Sequence, residues 1–247
     1  MRAARLTLTL AIVVALFPVG EASAARQCFD EGHTFERRSM RGFLDGDRIA
    51  DTEWVGARQP DGRCRYFVFA RTDDGTSRVR IPAGDKLSRA SLRDAARPIA
   101  LVRLDGGRGR EIAVKLLEGA SVRPFGFFTM RRGRIVRMEI GATAPPLAAP
   151  DMFAFGGGLA LMFGTDCAYR LAPRTVVFSA ASQTNEASKY RVERRWYQVQ
   201  GTDLVRTSRP TQTDVVGLRH LKERFPEFRN GGLLPRCDGR VLDPRQA

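Results

Sequence analysis

Asp45, Asp47 and Asp51 fall at alternate or near-alternate positions in Phe43-Leu44-Asp45-Gly46-Asp47-Arg48-Ile49-Ala50-Asp51, and an apolar stretch follows directly. Alternating carboxylates, a glycine that tightens the turn and a carboxylate at the ninth position suit a hard cation, because calcium takes roughly six to eight oxygens from a compact, flexible loop. The same side chains have a plainer use: Asp45 and Asp51 can cap the turn by accepting backbone N–H groups. Sixty residues later, Arg103-Leu104-Asp105-Gly106-Gly107-Arg108-Gly109-Arg110-Glu111 repeats Leu-Asp-Gly at the same offset, with Glu111 where the first loop has Asp51.

Other chemistry is harder to find. The chain holds no G-x-S-x-G elbow, no H-E-x-x-H and no phosphate-binding glycine loop. Its two histidines are His33, near Asp30, Glu31 and Glu36, and His220, beside Lys222; both read as surface or packing residues. Gly156-Gly157-Gly158 precedes a strand-like run rather than a helix, so it reads as a turn. Trp54 and Trp196 sit in strand patterns and are expected in the core. No catalytic residue is nominated, and the expected class is a protein without an enzymatic activity.

Residues 1–24 have the form of an export signal. Arg2 and Arg5 precede an apolar run from Leu6 to Val19, and Ala22-Ser23-Ala24 offers a small-residue cleavage site. Pro18, Gly20 and Glu21 end the run short of the about 20 residues that a span requires, so no membrane span is expected after cleavage. The expected location is secreted or extracytoplasmic, at the cell envelope. Cys28, Cys64, Cys167 and Cys237 then remain, an even number that reads as two disulfides. Three connectivities are open; Cys28 with Cys64 and Cys167 with Cys237 is the favoured one. The spacings are too wide for a zinc site.

Cleavage would remove Arg2, Arg5 and Glu21 and lower the formal net charge from +14 to +13. All but Lys86, Lys115, Lys189 and Lys222 of the 41 basic residues are arginine, whose forked donors suit phosphate and carboxylate. The arginines are spread along the strand-like segments rather than gathered in a run, which disfavours nucleic acid as a partner.

The elements that must position these residues are mostly strands. Thr52–Ala57, Cys64–Ala70, Ser77–Ile81, Pro98–Val102, Ile112–Leu116, Val122–Met130, Arg134–Ile140, Gly158–Phe163, Thr175–Phe178, Tyr190–Val199 and Leu204–Arg206 are rich in β-branched and aromatic residues. In Ser77–Ile81 the alternation is clean, so one face must be wet. Turns are predicted at Gln59-Pro60-Asp61-Gly62, Asp73-Asp74-Gly75, Arg131-Arg132-Gly133 and Gly201-Thr202-Asp203. A short helix or coiled loop is expected over Asp85–Ala96. A second helix, capped by Thr213 or Asp214, is expected to run to Phe225 and stop at Pro226, with a loop tail from Asn230.

An acidic Asp-Gly-Asp loop, an apolar strand directly after it and a period near sixty together resemble the FG-GAP or VCBS repeats of integrin-α-like β-propellers. The resemblance is carried by 41–80, less fully by 100–140, and beyond Pro150 by rhythm alone. It implies a mainly β fold of antiparallel, blade-like sheets in an abbreviated or open propeller-like array, with a short C-terminal helix. The organisation expected is a signal at 1–24, two such repeats at 25–141, a Pro/Ala-rich loop at 142–150 and a degenerate third repeat with helix and tail at 151–247, in one domain with the others. The family's calcium ligands would fall on Phe43, Asp45, Asp47, the backbone of Ile49 and Asp51. Phe43 cannot ligate and Arg48 brings an opposing charge, so calcium at Asp45, Asp47 and Asp51 is expected to be weak or absent, and no other cofactor is expected. In the second loop Arg103 and Gly107 replace two ligands, which leaves only Asp105 and Glu111.

The function expected is therefore an exported binding or structural module whose partner is a protein or an anionic polymer of the envelope. An Arg-rich binder of cell-wall phosphate or acidic polysaccharide is the alternative that the charge suggests, and an enzyme of unrecognised type is the third. Arginines gathered along one groove would favour the second reading over scattered ones.

Overall fold

The computed structural model describes residues 39–58, 65–81, 96–105, 107–116, 121–141, 152–168, 175–186, 188–229, 233–234, 237 and 239–241. The expected signal at 1–24, Cys28, His33, Cys64, the 59–62 turn, nearly all of the expected 85–96 helix and the 142–150 loop lie outside the described residues. Among the described residues the fold is mainly β, as the alternation and the β-branched content require, with one short α-helix.

The first sheet is a four-stranded antiparallel meander of β1 (Ser39–Gly42), β2 (Asp51–Arg58), β3 (Arg65–Thr72) and β4 (Gly75–Arg80). The second, twelve-stranded sheet begins with another meander, formed by β5 (Arg97–Val102), β6 (Glu111–Lys115), β7 (Val122–Arg131) and β8 (Arg134–Arg137). It continues through β9 (Glu139–Ile140), β10 (Phe153–Gly157), β11 (Leu161–Ala168), β12 (Thr175–Gln183), β13 (Lys189–Gln200), β14 (Asp203–Arg206), β15 (Gln212–Gly217) and β16 (Gly239–Val241). From β7 the pairing runs β10, β11, β12, β13, β14, β9, and β9 lies parallel to β14. Only Met138 separates β9 from β8, and its N–H donates to the Phe127 carbonyl at 2.9 Å. The path thus comes back to β7, and this part of the sheet folds over on itself.

Period-two patterning decides what each face meets. One face of the first sheet, with Met40, Val55, Tyr66, Val68, Ala70 and Ile81, packs on Leu101, Ile112, Val114, Phe128, Met130 and Ile135 of β5 to β8. The opposite face of β5 to β7, with Ile99, Val102, Ala113, Phe125 and Phe127, packs on Phe153, Phe155, Val176, Phe178, Tyr197 and Leu204. Strands β5 to β7 are buried on both faces, which is why they read as continuous apolar runs. Phe153 lies at the centre of the second core, with its ring 5.4 to 6.1 Å from those of Phe125, Phe127, Phe178 and Tyr197.

The C-terminal helix α1 spans Leu218–Arg224, shorter than the sequence suggests. Thr213 and Asp214 do not cap it: they lie in β15 opposite Glu193 and Val192, and Gly217 precedes the helix. The segment Thr213-Asp214-Val215-Val216 alternates, with Val216 buried and Val215 exposed, so a strand satisfies it better than a helix. Pro226 ends α1 as expected and opens a 3-10 turn, Pro226–Phe228. Gly156 and Gly157 are not a free turn; they close β10, opposite Phe163 and Met162 of β11. In the tail, Gly239–Val241 forms a strand against β5, where a loop is expected from sequence.

Candidate functional site

The two acidic loops are built alike. In the first, the Leu44 N–H donates to Asp51 Oδ2 at 2.6 Å and the Asp47 N–H to Asp45 Oδ1 at 3.1 Å. In the second, the Leu104 N–H donates to Glu111 Oε2 at 2.7 Å and the Gly107 N–H to Asp105 Oδ1 at 2.6 Å. Asp51 and Glu111 are each the first residue of a strand, so the pleat turns them inward; both are 2% exposed. The loops also touch. Gly46 is at φ +89°, and a Cβ on Gly109 would collide with the Leu44 carbonyl oxygen, so both glycines are required for the close approach.

This geometry divides the three carboxylates named from sequence. Asp45 and Asp47 stay together at the surface, whereas Asp51 turns to the Leu44 N–H. Asp73, from the β3–β4 turn, joins the first two instead: one carboxylate oxygen from each of Asp45, Asp47 and Asp73 lies within 4.8 Å of the others, all three exposed. Three carboxylates at that spacing could hold a hard divalent cation, water supplying the remaining ligands. Asp45 is raised above its ordinary value, first by the partial desolvation of its carboxyl and then by the charges of Asp47 and Asp73, against the Asp47 N–H. Nothing in the 43–51 window marks Asp73; only the fold of the β3–β4 hairpin brings it in. At the second loop Arg131 Nη2 lies 3.5 Å from Asp105 Oδ2, so a guanidinium supplies the positive charge there.

Burial pushes Glu111 up to about 7; the Leu104 N–H opposes the shift, Asp105 adds to it and Arg131 reduces it. Thr129 Oγ1 donates to Glu111 Oε1 at 3.5 Å. Asp51 is raised too, by burial first and by the nearby Asp45 and Asp47, against the Leu44 N–H.

The outer face of the first sheet gathers arginines that are scattered in sequence. Strand pairing aligns Arg41, Thr52, Arg71 and Thr76 in one row, Ser39, Trp54, Phe69 and Arg78 in the next, and Phe67 opposite Arg80 in a third. Trp54 and Phe69 stack with centroids 5.1 Å apart and planes 1° from parallel. Arg71 covers Trp54 at 5.4 Å and Arg78 covers Phe67 at 5.2 Å. Arg41, Arg71, Arg78 and Arg80 are exposed, and among the described residues none forms an ion pair. Trp54 is half-buried on this face and lies outside the apolar clusters, contrary to the core position expected for it; Trp196 is buried. The alternation in Ser77–Ile81 was the available sign of a wet face, but linear spacing could not show that three other strands align arginines and rings beside it.

Cys167 and Cys237 form a disulfide, which joins β11 to the tail. Glu227, fully buried, accepts Ser179 Oγ at 2.6 Å and Arg194 Nε at 2.7 Å, and so fastens the segment after α1 to β12 and β13. His220 is exposed on α1, 3.0 Å from Glu223 Oε2, with no other described partner. Among the described residues no helix is long and apolar enough to cross a membrane. No protein-family model matches the chain, and no curated protein or solved structure matches it either.

Proposed function

We propose that this is an exported, non-enzymatic β module that binds an anionic polymer of the cell envelope on the outer face of β1 to β4. The observation that carries the reading is the set of four exposed arginines without acidic partners, Arg41, Arg71, Arg78 and Arg80, set among Trp54, Phe67 and Phe69 on one sheet face. Arg71 and Arg78 lie over rings, which limits their rotamer freedom while leaving the in-plane N–H donors open at their edges. Carboxylate, sulfate and phosphate groups all suit such forks. The rings are themselves covered by guanidinium, so their role is to hold the arginines rather than to stack on a neutral sugar. The Cys167–Cys237 disulfide and the signal-like 1–24 segment support an oxidising, extracytoplasmic location.

In this reading the chain is an open array of blade-like units with a period near sixty. Support comes from the matched order of β1 to β4 and β5 to β8, from the equivalent loop hydrogen bonds and from the sense of packing. The Val55 and Val68 face of the first unit packs on the Ile112 and Phe128 face of the second, whose Ala113 and Phe127 face packs on the strands that follow. Stacking is thus head to tail, as in the FG-GAP-like arrangement. The outer face of the first unit is then the free end of the array, where Thr52 and Arg71 stand at the paired positions that Ile112 and Phe128 occupy in the second. Polar end faces keep such arrays soluble, and here that face also becomes the binding surface.

The test is retention on an acidic polysaccharide and on a phosphate polymer, with a neutral polysaccharide for comparison, across a salt series. Binding should weaken steeply with salt because counterions are released, and R78A/R80A should abolish most of it. W54A should weaken it without any change in charge. Equal retention on the neutral polymer would refute the reading.

A further inference from the structure

A second group of arginines lies around the β14–β15 connection, in a different setting. Residues 205–210 and Gly141 line an open cavity of about 440 Å³, with Arg206, Thr207, Ser208 and Arg209 as its polar members. Three of them have partners. The Thr207 N–H donates to the Trp196 carbonyl at 2.9 Å, and Thr207 Oγ1 accepts the Arg209 N–H at 3.3 Å. Arg206 Nη2 donates to Thr211 Oγ1 at 2.5 Å, and the Arg209 guanidinium lies 4.0 Å from the centroid of the Trp196 ring.

No acidic residue lines the cavity among the described residues, and neither arginine forms an ion pair there. Arg206 and Arg209 both border this concavity, so two positive charges line it and an anion there would offset their repulsion. The hydroxyls of Thr207 and Ser208 add neutral donors, which oxyanions accept and which do not discriminate against a tetrahedral group. A volume of about 440 Å³ exceeds the needs of a bare inorganic ion and falls within the range of small-ligand sites. We propose that this cavity binds a small phosphate or sulfate monoester, with the oxyanion between Arg206 and Arg209 and the organic group toward Gly141 and Pro210. This site is separate from the sheet face discussed above and does not depend on it.

Trp196 gives a direct readout, because an anion that draws on Arg209 alters the cation lying over the indole. The full chain carrying W54F leaves Trp196 as its one tryptophan. Phenyl phosphate and phenyl sulfate, titrated at constant ionic strength, should give a saturable change in emission, with inorganic phosphate weaker and chloride without effect. R206A and R209A should each weaken binding roughly tenfold or more, as the loss of a charged hydrogen bond does. R78A/R80A should leave it unchanged. If an alanine variant loses its native circular dichroism, R206K and R209K serve instead; they retain charge but lack the fork, and should also weaken binding. No saturable response to either ester at millimolar concentration would overturn the proposal. So would an equal response to chloride, unchanged affinity in the arginine variants, or loss of binding in R78A/R80A.

Discussion

Glu111→Gln should abolish the pH dependence that Glu111 imposes on folding. Glu111 is 2% exposed and its carboxyl is pushed from 4.5 to about 7 in the folded protein, chiefly by burial. A raised folded pKa means that the native state holds a proton which the unfolded chain has already released. Stability from this group is complete below pH 4.5, falls as pH rises toward 7 and is flat above that. At about 1.4 kcal/mol per unit, the whole swing is on the order of 3 kcal/mol. Glutamine has the same shape, its carbonyl can still accept the Leu104 N–H, and its amide can donate to Thr129 Oγ1. At pH 4 the variant should therefore match the parent within about 1 kcal/mol, and by pH 8 it should exceed it by roughly 3 kcal/mol.

Urea unfolding at half-unit steps from pH 4 to 8, with the disulfide intact, measures the difference. At a slope of about 2 kcal/mol per molar urea, the variant's midpoint should gain roughly 1.5 M on the parent's across that range. Other carboxylates titrate in both proteins, so the difference between the curves isolates Glu111. Asp51, raised by the same cause in the first loop, contributes equally to each. Parallel curves, or a variant that loses ground as pH rises, would show that Glu111 acts as an ionised staple and that the argument from burial is wrong.

Replacing Cys167 and Cys237 together by alanine should cost about 4 kcal/mol, since the bridge spans 70 residues of sequence and constrains the unfolded chain accordingly; thermal or urea unfolding reads this directly. Calcium at Asp45, Asp47 and Asp73 should be weak, so melting in millimolar calcium and in EDTA should differ by a degree or two, and Asp73→Asn should remove that difference; at ligand equal to Kd the gain is only about 0.4 kcal/mol. Arg194→Ala should cost roughly 3–5 kcal/mol by removing the guanidinium that pairs with the buried Glu227 carboxyl, and Glu227→Gln in the same chain should restore part of it. T52I/R71F should make the outer face of β1 to β4 apolar and drive concentration-dependent association in sedimentation, whereas the parent should show no such dependence through that face.

Most of the strands were legible because their apolar residues either alternate or run continuously, and the turn residues at Asp73-Asp74, Arg132-Gly133 and Gly201-Thr202 mark the reversals between them. What sequence hid was long-range. Ser39–Gly42 is too short and polar to read as a strand until β2 pairs with it, and Gly239–Val241 is a strand only because β5 has a free edge for it. Thr213 and Asp214 are good helix caps in isolation; the pairing with β13 competes and wins. The candidate cation cluster was half visible: Asp45 and Asp47 lie in the motif, but Asp51 belongs to the interior and Asp73 arrives from another turn.

The two loops explain why the motif recurs even where its metal-binding character does not. The buried carboxylate and the Leu N–H form the same bond in both, and Leu44 and Leu104 are each buried in a core. That bond closes the loop and sets the first residue of the next strand, whatever the outer surface of the loop carries. The surface positions are thereby free to differ. The first loop shows two carboxylates to solvent, Asp45 and Asp47, beside Asp73 of the β3–β4 turn, while the second has Gly107 in place of Asp47 and Arg131 beside Asp105. Leu-Asp-Gly followed by a carboxylate therefore acts in both loops as a folding signature, and the exposed carboxylate cluster beside the first is completed only by a residue as distant as Asp73. The sheet faces differ in the same way: at the paired positions where β6 and β7 carry Ile112 and Phe128, which pack on the first sheet, β2 and β3 carry Thr52 and Arg71, which lie outside the core.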